Sequence, residues 1–77
     1  MTDILVVLFS EVLDVDVSTL NDDSSPDTVD EWDSLGAMHL VAAIEEKFGV
    51  RLTTREIMKM NTIGLARQSL KDKGIDI

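Results

Sequence analysis

The residues of this chain that could do chemistry gather around one serine. In EWDSLGAMHLV, residues 31 to 41, Ser34 stands between Asp33 and Leu35, where an amphipathic pattern begins. A serine nucleophile needs a base within hydrogen-bond reach and an oxyanion hole. The only histidine is His39, five residues on, and helical geometry turns it about 140° away from Ser34. Two carboxylates acting as acid and base would need a pocket that so small a core hardly provides. We therefore expect no catalytic residue and no enzyme. Two roles remain for the hydroxyl. One is bland, an N-cap or first-turn residue, and Asp33 can fill it alone. The other is an attachment point activated by a different protein's active site, since free amides at a helix start accommodate phosphate oxygens.

Metal chemistry is a second candidate, because DVDVS at 14–18 imitates the opening of a calcium loop. Continued in register, that loop has Thr19 where glycine is needed and Ser25 where the bidentate glutamate belongs. The frame starting at Asp22 puts Pro26 at its fifth place. With no cysteine in the chain, thiolate sites and disulfides are excluded too. No metal site is expected.

Elements must position Ser34, and the pattern supplies four helices. Residues 3–13 read as the first, with Thr2 as N-cap and Leu5, Leu8, Phe9 and Val12 on one face. Residues 14–33 hold Asp, Ser, Asn and the only proline, and read as a long loop pinned by Val17, Leu20 and Val29. Loops of about twenty residues are unusual in compact domains and often functional. The second helix starts at Asp33 or Ser34 and runs to Phe48, where Gly49 stops it. Leu40, Val41, Ile44 and Phe48 share its core face. Leu35, Met38, His39, Ala42, Glu45 and Glu46 form a separate stripe beside Ser34, suited to docking a partner. Thr53 and Glu56 make a capping box for a short third helix near 54–60. Asn61 or Thr62 caps the last helix, in which Ile63, Ala66 and Leu70 share a face and Gly74 marks the end. The expected fold is all-α, a small four-helix bundle with three longer helices, one short one and a long first connection.

Charge divides the chain. Residues 1–34 contain ten acids and no Lys or Arg, residues 35–77 contain five acids and seven bases, and the net charge is −8. Such a field repels nucleic acid and anionic membrane and attracts basic protein surfaces. The longest apolar run, ILVVLF at 4–9, is far below the roughly 20 residues of a membrane span. It follows Asp3 and no basic segment, so a signal peptide is not expected. We expect one domain of 77 residues, cytoplasmic and monomeric.

At this point the chain resembles the acyl carrier protein family over nearly its whole length. The carrying motif is D-S-L at 33–35 followed by L-V-A-A-I-E-E-K-F at 40–48, supported by E-V-L-D-V-D at 11–16, D-D-S-S at 22–25 and N-T-I-G at 61–64. The resemblance implies a single carrier domain over 1–77, in which a phosphopantetheinyl transferase attaches 4′-phosphopantetheine from coenzyme A to Ser34. The arm's thiol would hold acyl groups as thioesters. Its partners would be an acyl-loading ligase or acyltransferase and downstream acyl-processing enzymes with basic surfaces. By the same resemblance Leu40, Ile44, Leu52, Ile57, Met60 and Ala66 match an acyl-sheltering cavity. Asp33, Leu35, Met38, His39, Glu45 and Glu46 match the surface that partner enzymes contact.

The departures from that family are informative. Gly36 stands where fatty-acid carriers usually have an acid, His39 where they have glutamate, Lys47 and Arg55 where they have acids, and D-E-W replaces L-G-A before the serine motif. Gly36 in the first turn costs roughly 1 kcal/mol relative to alanine and suits close approach of a partner or the arm. Trp32 either packs at the helix start or rests against the arm, and packing is the favoured reading. Fewer acids on the recognition face change partner selection, which suggests a specialised lipid, polyketide or cell-envelope pathway. Two alternatives stand beside this one: an aminoacyl carrier of the D-alanyl or peptidyl kind, and an unmodified acidic helical adaptor.

Overall fold

The computed structural model describes residues 3–77. Four helices, α1 (Ile4–Leu13), α2 (Ser34–Phe48), α3 (Thr54–Lys59) and α4 (Ile63–Asp72), follow one another with no strand among the described residues. The fold is a small helical bundle, as the pattern of apolar residues requires.

Each helix begins where a side-chain oxygen accepts an otherwise unpaired backbone amide. Asp3 caps α1 through the amides of Leu5 and Val6 at 3.2 and 3.3 Å. The expected cap, Thr2, lies outside the described residues. Asp33 caps α2, Thr62 caps α4, and Thr53 with Glu56 closes the reciprocal capping box on α3 at 3.1 and 2.8 Å. α2 ends on Gly49 in the left-handed conformation at φ 64°, the backbone state that glycine adopts at least cost. α1 ends instead on Asp14 at φ 57°. There Ser10 supports the turn by accepting the Val15 amide on its carbonyl and donating its hydroxyl to the Val15 carbonyl.

The core is one cluster. Leu5, Phe9 and Leu13 of α1 meet Leu40 and Ile44 of α2, with Ile63, Ala66 and Leu70 closing it from α4. The buried stripe of α1 is Leu5, Val6, Phe9 and Leu13; Leu8 and Val12, expected on that face, are only partly buried at its margin. The helix rotates because α2 and α4 pack against it from two sides, so Val6 is drawn inward.

The long connection is ordered by its own polar side chains. A single 3-10 turn, Val17–Thr19, forms under Asp16, whose carboxylate accepts the Ser18 amide and hydroxyl at 2.9 and 2.8 Å. Val17 is not an anchor: it is 45% exposed, because the turn directs it outward. The anchors are Leu20, Val29 and Trp32, all buried. The middle of the loop docks on the start of α4, where the Ile63 amide donates to the Ser24 carbonyl and the Gly64 amide to the Asp22 carbonyl, at 3.1 and 2.9 Å. A side chain at Gly64 would press on Asp22 at 3.1–3.2 Å. The glycine of N-T-I-G is therefore what lets the loop come this close.

Two ion-pair groups tie distant segments. Arg67 of α4 bridges Asp3 at 2.7 Å and Asp22 at 2.9 Å, joining α1, the loop and α4. Lys73 pairs with Glu56 at 2.8 Å, holding α3 to the end of α4. The Arg67 guanidinium, hydrogen-bonded to Asp3, holds that carboxyl below its ordinary value of 3.8. Asp3 therefore contributes stability fully above pH 3.8 and loses it as the pH falls through its lower folded value. Because the pair is partly solvated, its worth is about 0.5–1 kcal/mol. Replacing Arg67 by Met keeps the apolar stem and removes the charge. In urea titrations the variant should be less stable than the parent at pH 7, with the gap narrowing below pH 3.8. A gap of equal size at pH 7 and pH 3 would assign the loss to packing.

Candidate functional site

The start of α2 is built so that its first residue faces outward. Asp33 lies in extended conformation just before the helix, and its carboxylate accepts the Gly36 amide at 2.8 Å. Capping is thus complete without Ser34, which is exposed as the first helical residue. The amides of Ser34 and Leu35 precede the first intrahelical bond, which runs from Ala37 back to Asp33 at 2.8 Å. These two N–H groups at the positive end of the helix dipole are where an anionic oxygen is best placed.

Trp32 fixes this end of α2 from beneath. Its indole is only 5% exposed and meets the Phe9 ring edge-on, with centroids 5.2 Å apart and planes at 66°. Such a contact adds about 0.5–1.5 kcal/mol beyond area burial. Packing is therefore its role in this structure. Trp32 still helps line an open notch of about 320 Å³, together with Pro26, Asp33, Ser34 and Ala37.

The stripe expected beside Ser34 is present. Leu35 is 61% and Met38 68% exposed, so neither packs beneath the long loop, and Asp33, His39, Ala42 and Glu46 are exposed with them. Glu45 differs. It is half-buried and accepts the Leu52 amide at 2.9 Å, holding the α2–α3 connection to α2. Between α2 and α3 runs an apolar groove of about 300 Å³, lined by Ala37, Met38, Val41, Ala42, Glu45 and Ile57.

The residues expected to shelter an acyl chain divide into two groups. Leu40, Ile57 and Met60 line a small interior cavity of about 30 Å³, along with Phe9, Trp32, Ala37 and Val41. Ile44, Leu52 and Ala66 are buried core residues that do not line it. Spacing alone missed Ala37, one turn beyond Ser34, which borders notch, groove and cavity alike. It also missed Met58 of α3, 72% exposed. The i, i+3 step from Ser34 was the available signal for Ala37; Met58 gave none, since its exposure depends on how α3 is seated.

Among the described residues no helix is long and apolar enough to cross a membrane, and no group of three or more His, Cys, Asp or Glu side chains is placed to hold a metal ion. The start of α2 suits covalent loading: an outward hydroxyl, two free amides and an open notch at its side. The sequence model of the family described as the phosphopantetheine attachment site matches residues 3–66. The chain belongs to that family. No curated protein matches the chain significantly. The prosthetic group of the family is covalently attached 4′-phosphopantetheine, and its members are in general non-catalytic carriers. The residues at the start of α2 fit that group, since a phosphodiester has amides to meet and room to leave.

Gly36 is explained within this carrier domain and not by a visiting partner. A Cβ at that position would stand 2.5 Å from the Glu31 carbonyl oxygen and 3.1 Å from a Leu13 methyl. The loop's own backbone occupies the space. Helix propensity alone predicts that Gly36→Ala stabilises by about 1 kcal/mol; the collision with backbone predicts the opposite sign. The variant should show a lower urea midpoint than the parent. A higher midpoint would show that Glu31 moves away freely.

Proposed function

We propose that Ser34 is the residue that carries 4′-phosphopantetheine, and that the chain, as one carrier domain over residues 1–77, presents acyl groups as thioesters to partner enzymes. The observation carrying this reading is the exposed hydroxyl of Ser34 at the first position of α2, with Asp33 already serving as cap. The transferase would supply the base that the domain lacks. The Ser34 and Leu35 amides would meet the phosphate, offsetting the nearby acids Asp30, Glu31 and Asp33. When bound, the group supplies a terminal thiol for thioester chemistry. The protein's own residues orient the tether and present the Leu35–Met38 face to docking enzymes, with Glu46 and Asp33 as its charged rim.

Incubation with coenzyme A, magnesium and a broad-specificity phosphopantetheinyl transferase should add one phosphopantetheine per chain by intact mass. Ser34→Ala, an exposed substitution, should abolish the gain while leaving the helical circular dichroism unchanged. A gain that survives in Ser34→Ala would assign the arm elsewhere, and a parent chain that gains nothing would favour the unmodified adaptor.

We further propose a dedicated pathway and not housekeeping fatty-acid synthesis, with the chain acting in the cytoplasm as a monomer. Support comes from His39, Lys47 and Arg55, all exposed, at positions where the resemblance to fatty-acid carriers would place acids. An aminoacyl cargo is the second reading, favoured by the interior cavity of about 30 Å³, which has no space for an alkyl chain without opening. The holo-protein should be a poor substrate for a standard fatty-acid malonyl transferase and ketosynthase; efficient turnover by both would contradict the dedicated pathway.

A further inference from the structure

The notch beside Ser34 has a composition that the attachment chemistry alone does not require. A tether point needs a hydroxyl and clearance. Here the clearance is lined by Pro26, Trp32 and Ala37 together with Asp33 and Ser34 itself. Three apolar residues, from the loop, the helix start and the first turn of α2, thus border the same notch as the hydroxyl. The volume, about 320 Å³, falls at the lower end of small-ligand sites. The surroundings are acidic and Asp33 is part of the lining, so the apolar share of the wall comes from Pro26, Trp32 and Ala37.

The arm has a matching feature. One methylene beyond its phosphate ester oxygen lies a carbon bearing two methyl groups, before the polar hydroxyl and amides further along. A phosphate held at the first amides of α2 would put that branched carbon against the nearest wall. We infer that the notch formed by Pro26, Trp32 and Ala37 is a binding subsite for the dimethyl segment of the phosphopantetheine arm, so that the arm leaves Ser34 along the protein surface toward the α2–α3 groove. This rests on the proposed attachment at Ser34. Ala37 borders both the notch and the groove. Burying two methyl groups against apolar walls is favourable, and the tether removes most of the entropy cost of bringing them there. Trp32 then does two things: its ring packs on Phe9, and the residue borders the notch that receives the arm.

The chain has a single tryptophan, which makes the test specific. The apo and holo forms are prepared in parallel and their intact masses read first. In the holo form, nuclear Overhauser effects should connect the indole protons of Trp32 to both arm methyls. Those methyl resonances should be shifted by the ring current relative to free coenzyme A, and the tryptophan emission should change on loading. In Pro26→Ala, which alters only an exposed wall, the cross-peaks should weaken while the mass gain persists. A holo-protein of the correct mass, with methyl shifts equal to those of coenzyme A and no contact to Trp32, overturns the subsite and leaves the attachment standing. A chain that remains at its unmodified mass overturns both.

Discussion

The edge-on contact of Trp32 with Phe9 is the constraint from which the rest of the site follows. A helix can begin at any good cap, but the direction in which it begins depends on what holds the preceding residue. Here that residue is a buried indole locked against the middle of α1. With Trp32 fixed, Asp33 turns to cap α2, Ser34 becomes the first helical residue, and its side chain points away from the core. The same packing brings the Glu31 carbonyl over the first turn, which leaves space only for glycine at position 36. Serine exposure, helix start and the Gly36 departure are consequences of one aromatic pair.

The loop that delivers Trp32 must cross about twenty residues while carrying most of the chain's negative charge, and self-repulsion opposes its folding against the bundle. Three devices counter this. Its polar side chains satisfy their own backbone, as Asp16, Asn21, Ser24 and Ser25 do. Its carbonyls take the amides at the start of α4. Arg67 places one cation between Asp3 and Asp22. The other basic residues lie on α3, at the ends of α2 and α4, and at Arg51 in the α2–α3 connection, so the acids near Ser34 face a second half of mixed charge. Any enzyme that approaches the serine must answer both.

Much of this was legible in the sequence because the determining interactions are local. Caps at Asp33, Thr53 and Thr62, the stop at Gly49 and the apolar faces of α2 and α4 are set by neighbours within one or two turns. The exposed pair Leu35 and Met38 could be read for the same reason. What could not be read depends on contacts between distant segments. The rotation of α1 that buries Val6 in place of Leu8 follows from packing by two other helices, and the outward turn of Val17 follows from Asp16 capping. The collision at Gly36 involves a loop carbonyl, whose position no pattern of side chains reports. Arg67 looked like an ordinary surface base on α4, since its partners lie 64 and 45 residues away. The residues matched to an acyl cavity lie in two places: Ile44, Leu52 and Ala66 are packed in the core, whereas Ile57 and Met60 lie on and just after a short helix with no buried residue of its own.

We propose that this bundle holds Ser34 outward as the tether point of its prosthetic group. The most direct measurement is tandem mass spectrometry of the protein isolated from its own cells, with the thioester preserved and the modified peptide sequenced. The expected result is a phosphopantetheine, with cargo on its thiol, localised to Ser34. A chain recovered bare from those cells, or modified on a different residue, would contradict it.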